Sequence, residues 1–217
     1  TPGSGQDPTY ALVAGSDHYP DLFVGRFSAE TVEHVETQVQ KVLDYENPTT
    51  DAAWHSKGIG IASNQGPGHN GEYDNEHMDL IRDDLIGNGY SEVDQIYDPT
   101  ATDTQVSIAL NQGRGIINYC GHGSTTSWGS SGFNNDDINN LDNNNLLPVI
   151  TSVACLNGNF VGNTCFGETW LRAKNGNASI GAIAFWGSSK SQSWSPPMYA
   201  QDEVIDLLVS GHKTTFG

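Results

Sequence analysis

At 217 residues the chain is long enough to bury a full hydrophobic core, and one domain is expected. Its 26 acidic residues against 9 basic ones give a formal net charge of −17, a field that repels nucleic acid and anionic membrane and draws in cationic peptides or ligands. It contains no signal peptide, no lipidation motif and no membrane-spanning run of about 18 apolar residues.

The three cysteines, Cys120, Cys155 and Cys165, are an odd number, so at least one thiol stays free and a disulfide framework is not expected. The ends, Thr1-Pro2-Gly3 and Gly217, carry no helix-ending logic, and the chain is expected to be a piece of a longer protein.

Taken in order, residues 9–15 and 21–27 are two apolar runs that predict strands, joined by a polar turn at Pro20. Ser28 is placed to cap a helix on which Val32, Val35, Val39, Val42 and Leu43 recur at helical spacing, closed by Pro48. Residues 59–63 predict a short strand, followed by a long glycine-bearing loop over residues 64–75; such loops in a compact domain usually carry function. Met78, Ile81 and Leu85 mark a helix ended by Gly87-Asn88-Gly89. A strand over residues 91–97 follows, then a turn at Asp98-Pro99. Val106, Ala109 and Leu110 mark the inner face of the next helix.

Two apolar runs then stop abruptly at small residues and one reactive side chain: residues 116–124, carrying His122, and residues 150–158, carrying Cys155. Thr164 is placed to cap a helix with Phe166, Trp170 and Leu171 on one face. Residues 182–187 predict another buried strand, and Met198, Val204, Ile205 and Leu208 a last helix. Strands alternating with helices predict an α/β fold with a mostly parallel sheet covered on both faces.

Buried parallel strands read as such runs, and α/β folds place chemistry at their carboxyl ends. If both runs belong to one sheet, His122 and Cys155 emerge at the same edge, the minimum for cysteine nucleophilic catalysis. His122 lies between Gly121 and Gly123, which let a substrate backbone approach. Alone, a Gly-His-Gly turn is as readily structural as functional, and a lone cysteine is more often an inert core residue. In an acyl-transfer reading Cys155 attacks the scissile carbonyl, His122 protonates the leaving amine, and the N–H groups of Gly123 and Cys155 form the oxyanion hole. Cys120, two residues before His122, is read as core on the opposite face of its strand, and Cys165 as helix packing.

Residues 118–124 (Asn-Tyr-Cys-Gly-His-Gly-Ser) and 153–160 (Val-Ala-Cys-Leu-Asn-Gly-Asn-Phe) resemble the gingipains, cysteine peptidases of family C25 in the caspase-like clan. The likeness continues through Asp17-His18-Tyr19-Pro20, residues 24–28, Cys165-Phe166-Gly167-Glu168, residues 192–198 and Gln201-Asp202-Glu203, and so covers most of the chain. The resemblance implies a caspase-like three-layer sandwich, with residues 1–27 as the tail of a preceding subdomain and residues 28–217 as the catalytic one. It implies His122 and Cys155 as the catalytic pair, and Asp74, Trp194 and Met198 as the base, lid and wall of a pocket for arginine, as in the arginine-directed members. A carboxylate in such a slot binds a guanidinium through paired hydrogen bonds, and an indole face adds cation–π contact. Without the resemblance, Asp74 reads as an ordinary helix N-cap and Trp194 as a plain aromatic.

One position departs from the family pattern. Where the family has an acidic residue that orients the histidine, this chain has Gln65, which can hold an imidazole tautomer but not stabilise its charge; Glu72 is a candidate substitute. The oxygen-rich residues 134–145 are compatible with structural calcium, as in some family members, but lack the spacing and glycine of an EF-hand loop. The chemistry itself calls for no metal.

The expected function is that of a cysteine endopeptidase cleaving after arginine, with lysine as the lesser alternative, on protein or peptide substrates with basic residues. From the family, it is expected to be secreted or at the cell surface. The alternative is a catalytically silent domain that binds basic peptides or surface partners. A third reading is an acyltransferase or transpeptidase on the same site.

Overall fold

The computed structural model describes residues 5, 7–47 and 51–211. Pro48, Gly217 and the opening Thr1-Pro2-Gly3 lie outside them.

Five strands form one parallel sheet: β1 (Lys57–Ala62), β2 (Glu92–Tyr97), β3 (Ile116–Cys120), β4 (Val149–Val153) and β7 (Ala184–Gly187), in the order β2-β1-β3-β4-β7. The central strands are buried throughout, as uninterrupted apolar runs predict. Among the described residues six α-helices surround the sheet: α1 (Val32–Glu46), α2 (Asp74–Gly87), α3 (Asp103–Asn111), α4 (Asn135–Asn139), α5 (Phe166–Arg172) and α6 (Ser195–Val209). A two-stranded hairpin, β5 (Lys174–Asn175) with β6 (Ala178–Ser179), follows α5.

Alternation along the strands divides the core into two layers. Ile117 and Tyr119 of β3 and Ile150 of β4 pack with Trp128, Phe133, Phe166 and Trp170 on one face. Ile116, Cys120 and Val153 pack with Met78, Ile81 and Leu85 of α2 and Met198 and Ile205 of α6 on the other. Within this second layer a buried polar chain ties four elements together. The Gln201 amide donates to Thr151 Oγ1 at 2.9 Å and to Asn118 Oδ1 at 3.3 Å, and Gln201 Oε1 lies 3.1 Å from His77 Nε2. A register slip by one residue would strand these polar groups in apolar surroundings, so the chain pins β3 and β4 in place.

Several local expectations change. Residues 9–15 and 21–27 are not strands: Pro8–Ala11 is a single 3-10 turn, and the rest runs over the surface with Tyr10, Val13, Phe23 and Phe27 exposed. The Asp21 carboxylate accepts the N–H groups of Val13 and Ala14, each at 2.9 Å, and so takes the place of a strand partner there. Thr31, not Ser28, caps α1, accepting from the His34 N–H; Ser28 instead donates to Glu168. Cys165, not Thr164, holds the N-cap position of α5, its N–H donating to Glu168 Oε2 at 2.9 Å. The final strand begins at Ala184, two residues later than the apolar run suggests.

Candidate active site

The parallel register sets Ala62, Cys120 and Val153 side by side on β1, β3 and β4. One further rung extends the sheet, with Ser63 N–H on the Cys120 carbonyl and Gly121 N–H on the Val153 carbonyl. His122 and Cys155 each lie two residues beyond this level, and both line one cleft at the carboxyl edge. Both sites thus leave neighbouring strands at the same height, as the run lengths predict.

The turn that carries Cys155 is tight. Leu156, next after Cys155, has φ of 63°, a conformation that costs a non-glycine residue roughly 1–2 kcal/mol and persists only where neighbours hold it. Leu156 N–H donates to the Lys190 carbonyl, and Gly158 N–H to the Ser188 carbonyl. The half-buried Cys155 thiol sits against the same segment, with the Gln192 N–H 3.4 Å from Sγ and the Gln192 carbonyl at 3.9 Å.

His122 is exposed to solvent, its ring set edge-on to Trp194 with centroids 5.2 Å apart. Its Nε2 lies 2.9 Å from Gln65 Oε1. Glu72 does not reach it: the Glu72 carboxylate pairs with His77 Nδ1 at 3.3 Å. Gly123 is pressed against the turn that carries Cys155, so that a Cβ built there would lie 2.7 Å from Ala154 Cβ and 2.8 Å from the Cys155 carbonyl.

Asp74 opens α2 and is fully buried. It is not the cap of that helix; Tyr73 holds the N-cap position, its N–H donating to Glu76. The Asp74 carboxylate accepts from Ser63 Oγ and, at 2.8 Å, from the Trp194 indole N–H. Met198, fully buried, lies behind them, and the loop over residues 64–73 folds down onto both side chains. A Cβ at Gly68 would sit 2.2 Å from Met198 Sδ and 2.9 Å from the Trp194 ring. Asp74, Trp194 and Met198 therefore come together, with Trp194 also at the cleft that holds Cys155 and His122.

Cys120 is core, but it lines the same cleft as His122 and is not turned to the opposite face, because β3 ends at Cys120 and the chain turns at Gly121. Burial, reinforced by the neighbouring Asp74, raises its thiol far above the usual range, so it stays protonated. Burial also pushes Cys165 up to about 11.

Glu72, His77 and Asp202 bring two carboxylates and an imidazole within 4.8 Å of one another, a donor set that fits a divalent cation. Within residues 134–145 several oxygens are engaged in the fold, while the buried Asn135 Oδ1 has no hydrogen-bond partner. Asn134 and Asp137 cap α4, and the buried Asn143 bonds Gly181 and Leu146. Ser63 and Gln192, which hold Asp74 and Cys155, were not singled out from the sequence; Ser63 had a signal as a small polar residue just past the end of β1, and Gln192, in the loop beyond β7, had none.

The model for peptidase family C25 matches residues 2–217. Gingipain R2 of Porphyromonas gingivalis is 40% identical over 225 residues, covering 100% of this chain and 31% of the relative. Lys-gingipain HG66 of the same organism is 29% identical over 195 residues, covering 89% of this chain and 11% of the relative. The crystal structure of the Arg-specific cysteine proteinase gingipain R superposes with a TM-score of 0.95 at 38% identity, covering 100% of this chain and 52% of that one. The sheet order, the two-layered core and this likeness establish the caspase-like gingipain fold. The chain belongs to peptidase family C25.

Proposed function

We propose that this chain carries the catalytic machinery of a cysteine endopeptidase that cleaves after arginine. The observation that carries the reading is the meeting of Cys155, His122 and Trp194 at one sheet edge, with Trp194 bonded to a buried carboxylate, Asp74.

The chemistry follows from the groups present. With Gln65 Oε1 accepting from His122 Nε2–H, Nδ1 is the nitrogen left to exchange a proton with the thiol. The Cys155 thiolate adds to the carbonyl carbon of the scissile bond, and the oxyanion takes hydrogen bonds from the Gly123 and Cys155 N–H groups. Protonated His122 delivers its proton to the departing amine, leaving a thioester on Cys155. Water, deprotonated by His122, then adds to that thioester and frees the carboxylic acid and the thiol.

An arginine side chain would bond to Asp74 in exchange for the Trp194 indole N–H, with the indole retained as an apolar and cation–π wall. The greater identity to Gingipain R2 than to Lys-gingipain HG66 supports arginine over lysine. The net charge of −17 favours basic peptide partners, and a secreted or surface location fits the family. The reaction so written uses no cofactor; the Glu72–His77–Asp202 cluster would hold a cation in a structural role. Gln65 in place of a carboxylate keeps the rival reading, a silent peptide-binding domain, in play.

Stoichiometric alkylation tests the proposal. Loss of arginyl-peptide cleavage in step with Cys155 modification supports it; continued cleavage by fully alkylated protein contradicts it.

A further inference from the structure

We infer that Asn157 is a positioning residue that fixes the distance between the nucleophile turn and the histidine loop; this rests on the assignment of Cys155 and His122 above. Asn157 is fully buried two residues beyond Cys155, and every polar atom of its amide is engaged. Its Nδ2 donates to the Ser124 carbonyl at 2.7 Å and the Ser127 carbonyl at 3.1 Å, both on the loop that leaves His122. Its Oδ1 accepts from Ser152 Oγ on β4 at 2.9 Å, and Ser152 Oγ in turn accepts from the Trp128 indole N–H at 2.9 Å. Its backbone carbonyl takes the Gly167 N–H at the start of α5.

The arrangement is a clamp. One side chain grips the histidine loop twice, while Ser152 and the Asn157 backbone hold the turn on which Cys155 rides. Trp128, stacked on Tyr119 with centroids 4.8 Å apart, anchors the far end in the aromatic core. Tyr119 itself donates its hydroxyl to the His122 carbonyl at 2.6 Å, so the loop is fixed at His122 as well as at Ser124 and Ser127. The clamp also fits the contact of Gly123 with the Cys155 carbonyl and with Asn157 Nδ2, which a Cβ at Gly123 would approach to 3.0 Å. It therefore sets two separations together: thiol to imidazole, and one oxyanion donor to the other. No atom of Asn157 is assigned to touch the reacting groups. Its effect is on geometry, where a displacement of about 1 Å can cost roughly 10²-fold in rate.

The test compares wild type, Asn157→Ala and Asn157→Asp in the full-length polypeptide. It reads kcat and KM on an arginyl peptide, and the pH profile of Cys155 alkylation by iodoacetamide. The expectation for Asn157→Ala is a kcat lower by about 10²-fold with KM changed less than about threefold. The alkylation profile should depart from that of wild type, because the imidazole loop is no longer held at its fixed distance from the sulfur. Asn157→Asp turns two donors into acceptors facing two carbonyls. Its deficit relative to wild type should shrink as pH falls and the carboxyl gains a proton to donate.

A packing role alone would lower the melting temperature and leave the alkylation profile in place. An unchanged kcat or an unchanged alkylation profile overturns the inference. If Asn157→Ala does not fold, Ser152→Ala, which removes one bond to Oδ1, decides by the same two readouts with a smaller effect. If wild type cleaves nothing, the peptidase reading fails, and the alkylation profile still decides whether Asn157 couples the two loops.

Discussion

His122 Nε2 and Gln65 Oε1 lie 2.9 Å apart, so the histidine at the head of β3 is held by an amide from the loop after β1. An amide oxygen fixes the ring and its tautomer but offers no counter-charge to an imidazolium. Gln65→Ala is therefore expected to lower kcat by roughly 10- to 100-fold, as loss of an orienting partner usually does. Gln65→Glu puts a carboxylate beside the ring, which favours its charged form. The alkaline limb of the kcat/KM profile should then move to higher pH; a full pH–rate profile of the three proteins checks both outcomes.

Asp74 is buried beneath Trp194, and its value to the proposed pocket is charge. Asp74→Ala should cost arginyl peptides roughly 10²-fold or more in kcat/KM, in line with the loss of one partner from a desolvated ion pair. A peptide ending in alanine should lose far less. Parallel kcat/KM measurements on the two peptides give the ratio directly.

Gly123 packs against the turn that carries Cys155, where a Cβ would lie 2.7 Å from Ala154 Cβ and 2.8 Å from the Cys155 carbonyl, neither the end of a flexible side chain. Gly123→Ala is expected to push the two loops apart and lower kcat by roughly 10²-fold. Binding of a small guanidinium inhibitor at Asp74 should change little, which an inhibition constant would show.

Lys41 gives a prediction about stability. It is buried between α1 and α5, its Nζ donating to the Trp170 carbonyl at 2.9 Å and the Ala182 carbonyl at 3.4 Å. Burial lowers its pKa to about 7 in the folded chain, from an ordinary value of 10.5. Between those values the unfolded chain binds the extra proton, so this group adds stability as pH rises from about 7 toward 10.5. Below pH 7 both states are protonated and the cost of the buried charge is carried in full. Lys41→Met should abolish this rise, seen as a flatter melting temperature against pH.

Much of the fold was legible because buried parallel strands have a simple signature. The runs ending at His122 and Cys155 became β3 and β4, and the helical spacings at Met78, Val106 and Phe166 became α2, α3 and α5. The surface runs at residues 9–27 misled for a physical reason: apolar alternation marks a strand only where a sheet edge is alongside, and here Asp21 supplies the acceptors instead. Short-range capping was also hidden, because Ser28 and Thr164 carry the right hydroxyls but spend them on Glu168 and Arg172. The meeting of Asp74 with Trp194, 120 positions away, was foreseen only through family resemblance, since no local pattern encodes it. Asn157 stood in a quoted motif, yet its bonds to Ser124 and Ser127 depend on the packing of two loops that meet only in the folded chain.

The most direct test of the account is cleavage of matched fluorogenic peptides that differ only in the residue before the bond: Arg, Lys, Asp or Ala. Wild type and Cys155→Ala are run side by side in reducing buffer. The account predicts cleavage after arginine above all others, abolished in Cys155→Ala. Binding of the arginyl peptide without cleavage, or cleavage that survives in Cys155→Ala, would contradict it.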